Sequence, residues 1–166
     1  MRRHDRKIEN LEDILDVLGR CDVVRLGINT PDYPYIVPMS FGIEHTDRSL
    51  ADKSLIMWFH CAFEGLKLDM IKRDPRVGFE ADCSHRLIAG DKPCQFGMEY
   101  ESVIGCGNIS MCDDAASKRH GLKVITNHYS PQSDTRFSDS ELASVCVLRL
   151  DITQITGKQA TRHTLH

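Results

Sequence analysis

Apolar positions along the chain follow two rhythms, one with the period of a helix and one with that of a strand. Leu11, Ile14, Leu15 and Leu18 recur at i, i+3, i+4 and i+7. They predict a first helix with Asn10 as its N-cap, Asp13 as capping-box partner and Gly19 as its stop. Val24, Leu26 and Ile28 alternate with polar residues, so 22–29 reads as a strand. The turn-forming stretch from Thr30 to Pro34 sends the chain back into a second strand, 35–44. Pro38 has no N–H to give a ladder, which places it at an edge, at a bulge or where a ligand meets the backbone.

Residues 45–53 read as a polar loop, and the run from Ser54 to Phe59 as a third strand. The helix that begins at Leu66 has to end before Pro75, because proline disfavours helix in the residue ahead of it. A fourth strand follows over 76–81. Residues 82–98 lack periodicity and carry Gly90, Pro93 and Gly97, the pattern of a long loop that closes over a site. A long strand over 100–111 is expected to bulge at Gly105 and Gly107. Asp113 or Asp114 opens a helix through about Tyr129, 130–140 reads as a polar loop, and 143–150 as the last core strand. About six strands in short hairpins, with three helices outside any alternation, define an α+β class built on an antiparallel barrel.

Composition narrows the function. A chain of 166 residues fits one domain, 1–166, with one core and no need of disulfides. With 21 basic and 24 acidic side chains the net charge is −3, so no overall positive field holds it to nucleic acid or an anionic membrane. A small-molecule partner suits it better. The basic cluster Arg2, Arg3, His4, Arg6 and Lys7 is followed at once by Glu9, Glu12, Asp13 and Asp16, with no apolar region of a secretory signal. No apolar window is long enough to span a bilayer. Seven scattered cysteines without a C-x-x-C spacing read as reduced thiols of a cytoplasmic protein. Cys83, His85 and Cys94 share the expected loop, but their spacing matches no tight zinc-ligand pair, and no metal site is assigned.

Candidate chemistry concentrates where the third strand hands over to its helix, Phe59-His60-Cys61-Ala62-Phe63-Glu64-Gly65-Leu66-Lys67. Backbone N–H groups at a helix start lack partners, and a lysine beside them adds a full charge, so the junction suits a phosphate. The plainer reading is a histidine capping the strand and a solvated lysine.

Five segments tip the balance. The junction carries H-x-A-x-x-G-x-K. The opening from Met1 to Ile8 resembles M-R-R-x-x-R-x-I. The strand from Tyr33 to Gly42 contains P-Y-x-V-P-x-S-F, and the strand from Tyr100 to Gly107 contains Y-x-S-V-x-x-x-G. The stretch from Ile152 to Lys158 closes with I-T-G-K. Together these resemble the nitroimidazole-resistance (NimA-like) proteins of the flavin-binding split-barrel superfamily, which also contains pyridoxamine 5′-phosphate oxidase.

The resemblance implies a split barrel with a flavin, FMN or alternatively FAD, in a groove between two subunits of a homodimer. Pro38, Met39, Ser40 and Phe41 would then run along the ring or ribityl chain. Phe59, His60, Cys61 and Ala62 would contact the ring edge and phosphate, with Lys67 pairing the phosphate. Ser102 and Val103 would line the opposite wall, and Lys158 would reach a phosphate. Against these stand a solvent-facing strand serine, a core valine and a solvated terminal lysine. His60 is the one catalytic candidate, since imidazole exchanges protons near neutral pH; the competing role is a hydrogen bond to the flavin. Cys61 stands where the family often has serine, and a thiol is the poorer hydrogen-bond partner. The implied activity is flavin-dependent reduction of nitroaromatic or similar small electrophiles. The alternative is a flavin carrier, store or sensor without turnover.

Overall fold

The structure, a computed structural model, describes residues 3–47 and 53–161. A short 3-10 turn, His4–Arg6, leads into β1 (Lys7–Ile8) and α1 (Leu11–Arg20). Then come β2 (Val24–Ile28), β3 (Tyr35–Met39), β4 (Phe41–Asp47), β5 (Lys53–Cys61) and α2 (Leu66–Arg73). The rest is β6 (Arg76–Ile88), β7 (Gly97–Met111), α3 (Ala115–Tyr129), α4 (Asp139–Ala143) and β8 (Cys146–Ala160).

Every pairing is antiparallel, and the sheet runs in the order β3-β2-β6-β7-β8-β5-β4, with β1 added to β8. The two ends of that order, β3 and β4, are neighbours in sequence, separated by Ser40 alone. A single residue reaches only about 7 Å from Cα to Cα, so the sheet has to curl until its edges meet there. No ladder joins β3 to β4, and the result is a split barrel.

Alternation explains what lies inside. Val24, Leu26 and Ile28 of β2 and Val77, Phe79 and Ala81 of β6 are buried at every second position. They share one core with Met57 and Phe59 of β5, Leu148 and Leu150 of β8, and Ile14, Val17 and Leu18 of α1. β5 is buried on both faces. Ile56 and Trp58 pack outward under α3 against Ile125 and Val147, which is why its sequence is continuously apolar. Burying a side chain of this size stabilises the fold by about 1.5–3 kcal/mol.

The split is fastened by the last turn of α3. The Phe41 N–H donates to the Tyr129 hydroxyl at 3.0 Å, and that hydroxyl donates to the Asp22 carbonyl at 2.7 Å. His128 Nε2 lies 2.9 Å from the Cys21 carbonyl, so the start of β4 is tied to the approach of β2.

Several expectations are corrected. Residues 82–98 are not a long loop: β6 continues to Ile88, β7 begins at Gly97, and only 89–96 connects them, with a 3-10 turn at Pro93–Gln95. Beyond Glu80, β6 loses its pairing with β2, and β7 meets β8 only from Tyr100, so the tip is a two-stranded ribbon wet on both faces. Such a ribbon shows no hydrophobic period. The strand expected over 35–44 breaks at Ser40, where the chain changes from one sheet edge to the other. The last strand starts at Cys146 and runs to Ala160, so the I-T-G-K segment belongs to it, and 139–143 is helical. Among the described residues the strands number eight rather than about six, and a fourth α-helix joins the three expected.

Smaller differences concern α1. Asn10 occupies the N-cap position without a side-chain cap bond, and its amide donates to Asp13 Oδ2 at 3.2 Å instead. The helix passes Gly19 to end at Arg20. The expected bulge near Gly105 and Gly107 is present as a register shift between Cys106 and Gly107. Of the loop expected over 45–53, residues 48–52 lie outside the described residues, as do Met1 and Arg2 of the opening motif.

Candidate functional site

Pairing register assembles the site. Phe41 of β4 faces Phe59 of β5, so Ser40 arrives beside His60. Cys61 faces Cys146 of β8, so the residues just before Cys146 meet those just after Cys61. The outcome is a cavity of about 420 Å³ lined by Pro38, Met39, Ser40, His60, Cys61, Ala62, Lys67, Ser144 and Val145. That volume lies within the range of small-molecule and cofactor sites. Pro38 is placed as its missing N–H predicts, on β3, the free edge of the sheet.

The charge comes from α2. Lys67 stands in its first turn, and its N-cap is Gly65 at φ +139°, with no side-chain cap bond. Only glycine adopts that backbone readily. Leu68 N–H donates to the Gly65 carbonyl at 2.9 Å, which leaves the N–H groups of Leu66 and Lys67 ahead of the first helical bond. Among the described residues no carboxylate pairs with Lys67, and none lines the cavity. The lining therefore offers one ammonium, two serine hydroxyls and an imidazole over an apolar wall of Pro38, Met39, Ala62 and Val145. A phosphorylated, flat aromatic cofactor such as a flavin mononucleotide fits that donor set: anion at Lys67 and the helix start, ring against the apolar wall.

Burial first, and then neighbouring Cys146, pushes the Cys61 thiol up to about 11, with Lys67 pulling the other way. Cys61 is thus a protonated lining residue at neutral pH rather than a ready thiolate. His60 is exposed, and among the described residues nothing hydrogen-bonds its ring.

Of the residues singled out from sequence, Pro38, Met39, Ser40, His60, Cys61, Ala62 and Lys67 line the cavity. Phe41 and Phe59 do not. Both are fully buried and form the core layer behind it. Ser102, Val103 and Lys158 lie elsewhere: Val103 is buried in the barrel core, and Ser102 faces Lys158 across the β7–β8 ladder. From Cys146 to Lys158, β8 advances twelve residues, up to roughly 40 Å of strand. Lys158 Nζ lies 5.6 Å from the Tyr100 ring centroid. Burial raises the Tyr100 phenol, but the hydrogen bond from Lys158 and the charges of Lys158 and Arg6 outweigh it and lower its pKa. Ser144 and Val145 were missed; the signal for them is the Val145-Cys146-Val147 strand start, which fixes their place only once its partner is known. Among the described residues no group of three or more His, Cys, Asp or Glu is arranged to hold a metal ion. No helix among them is long and apolar enough to cross a membrane.

Fold and cavity define an antiparallel split barrel with a cationic pocket where its edges meet. A family model described as pyridoxamine 5′-phosphate oxidase matches residues 10–159, and the chain belongs to that family. Among solved structures it is similar to a candidate 5-nitroimidazole antibiotic resistance protein of Bacteroides thetaiotaomicron. The identity is 29% and the TM-score 0.77, over 92% of this chain and 86% of that one. It shares its fold with a flavocytochrome of Azotobacter vinelandii (16% identity, TM-score 0.76, 97% and 72% covered). The FAD and heme binding protein of Mycobacterium smegmatis is a further fold relative (16% identity, TM-score 0.77, 93% and 73% covered). None of the curated proteins matches the chain by sequence.

Proposed function

We propose that the chain is a cytoplasmic, homodimeric flavoprotein that reduces nitroaromatic compounds or related small electrophiles, with FMN as its cofactor and FAD as the alternative. The observation that carries this reading is the convergence in one cavity of Pro38, Met39, Ser40, His60, Cys61, Ala62 and Lys67, drawn from three separate elements. Its support from relatives is the family match and the flavin-binding and nitroimidazole-resistance names of the similar structures.

When bound, the flavin supplies the electrons. Lys67 and the uncapped start of α2 would hold its phosphate, Pro38 and Met39 would shield it from water, and Ser40 would donate a hydrogen bond. His60 presents an imidazole to the open side of the cavity, where it gives a proton to the substrate as negative charge develops on it. Ser102, Val103 and Lys158, remote from the cavity of their own chain, take part only if a second copy brings them to it.

The test is to load purified protein with flavin, identify the released pigment by mass, and follow nitroimidazole reduction in wild type and His60→Ala. The expected outcome is retained pigment with turnover slowed about 10²-fold or more in the variant. Unchanged turnover removes proton donation by His60. Flavin that stays bound but never passes electrons faster than free flavin makes the chain a carrier, store or sensor.

A further inference from the structure

Across the β5–β8 ladder Cys61 stands directly opposite Cys146. Opposed residues of antiparallel strands point to the same face with Cα atoms about 4.5–5.5 Å apart, inside the roughly 4.4–6.8 Å that a disulfide spans. Both are free thiols, and Cys146 is among the neighbours that raise the Cys61 thiol. They differ in access. Cys61 is half-buried and lines the cavity beside His60 and Lys67, whereas Cys146 is 4% exposed behind it. One open thiol and one sheltered thiol at bridging distance are the parts of a two-step exchange.

We propose that Cys61 and Cys146 form a reversible thiol–disulfide couple whose substrates are small disulfides and dithiols entering the cavity. This goes beyond the flavin reading and requires no flavin. The Cys61 thiolate attacks one sulfur of a disulfide R–S–S–R, forming Cys61–S–S–R and releasing RS⁻. The Cys146 thiolate then attacks the Cys61 sulfur, closing the bridge and releasing the second RS⁻. Two electrons pass from the pair to the substrate, and the two thiol protons end on the released thiolates. A dithiol runs the same steps in reverse.

The surroundings set the rate. Facing Cys61 are Cys146 from β8 and Lys67 from α2. Next to Cys146 lies Cys112, itself raised by burial and by Asp114 and lowered by Arg149. Cys61, raised to about 11, is almost wholly protonated at neutral pH, so the couple is slow there and quickens with base. Exchange follows the thiolate fraction, which grows about tenfold per pH unit up to roughly pH 10. A second dithiol provides an internal control: Cys21 and Cys83 both point to the Val17 carbonyl, neither lines the cavity, and burial first pushes Cys21 up to about 12.

The experiment treats the full chain with hydroxyethyl disulfide across neutral to alkaline pH and reads free thiols, intact mass and linked peptides. The expected result is loss of two hydrogens, a Cys61–Cys146 peptide link, and a rate rising about tenfold per pH unit. Cys146→Ala should stop at the mixed disulfide on Cys61, and Cys61→Ser should form neither. A mixed disulfide that persists on Cys61 in wild type, a link confined to Cys21–Cys83 or Cys112–Cys146, or a Cys61 that stays a free thiol overturns the proposal. Because the readout is mass, the result stands whether or not the same sample takes up flavin.

Discussion

Two cavities of equal volume, each about 420 Å³, have no lining residue in common. One, at the end of β5, is lined by Lys67, His60 and two serines with no carboxylate. The other, between β4 and α3, is lined by Ile43, Glu44, His120, Lys123, Val124, Asn127 and His128. There the carboxylate is already engaged: Glu44 Oε2 accepts from Trp58 Nε1 at 3.0 Å and lies 2.8 Å from His120 Nε2. Volume alone does not mark a ligand site. The first cavity keeps its cation and an uncapped helix start available to an anion, while the second offsets Lys123 with Glu44 and spends its polar groups on holding α3 to the sheet. Even the exposed histidine of each cavity differs in this way. His120 is fixed by Glu44, and among the described residues His60 is fixed by nothing.

The sharpest way to break this contrast is charge reversal. Lys67→Glu should weaken flavin binding by at least roughly a hundredfold, since it removes a charge-assisted contact worth about 2–3 kcal/mol and sets a like charge in its place. Lys123→Glu should leave it unchanged. Flavin fluorescence titration of both variants reads the difference, and equal losses would mean that the whole surface field, not the first cavity, holds the ligand.

A steric change separates the cavities next. A Cβ at Gly42 would lie 2.6 Å from the carbonyl carbon and oxygen of Val124, so α3 has to lift from β4 in Gly42→Ala. The backbone of a packed helix gives little, and a loss of about 1–3 kcal/mol is expected from urea midpoints. No residue of the first cavity comes from α3, so flavin affinity at fixed folded fraction should stay the same.

The first cavity was more legible in the sequence than the scaffold around it, and register explains why. His60, Cys61, Ala62 and Lys67 fall within eight residues at one junction, and the missing N–H of Pro38 announces a sheet edge wherever the strands go. Ser144 and Val145 reach the same place only through the β5–β8 pairing, which no local period encodes. The ribbon of β6 and β7 hid for a different reason. Arg86 pairs with Glu99 and Leu87 faces Met98 in a two-stranded arm without a buried face, so no alternation marks it. The sequence pattern marks only the first half of β8, because the second half, through Gln154 and Thr156, is polar on its exposed side.

The smallest expected effect tests what the second cavity is for. Burial by itself raises the Glu44 carboxyl, but the hydrogen bonds from His120 and Trp58, and the charge of Arg149, outweigh it and bring it below the ordinary value. A carboxyl depressed in the fold stabilises it above its unfolded pKa of about 4.3, and that contribution is lost as pH falls through the folded value. Glu44→Gln should therefore cost about 1 kcal/mol near neutral pH, with the gap to wild type closing as the medium becomes acid. Urea midpoints measured over that range check the sign. The same variant should bind flavin as wild type does, because Glu44 touches only the α3 side. If affinity instead fell with Glu44→Gln and survived Lys67→Glu, the ligand would belong between β4 and α3, and the charge argument for the other cavity would be wrong.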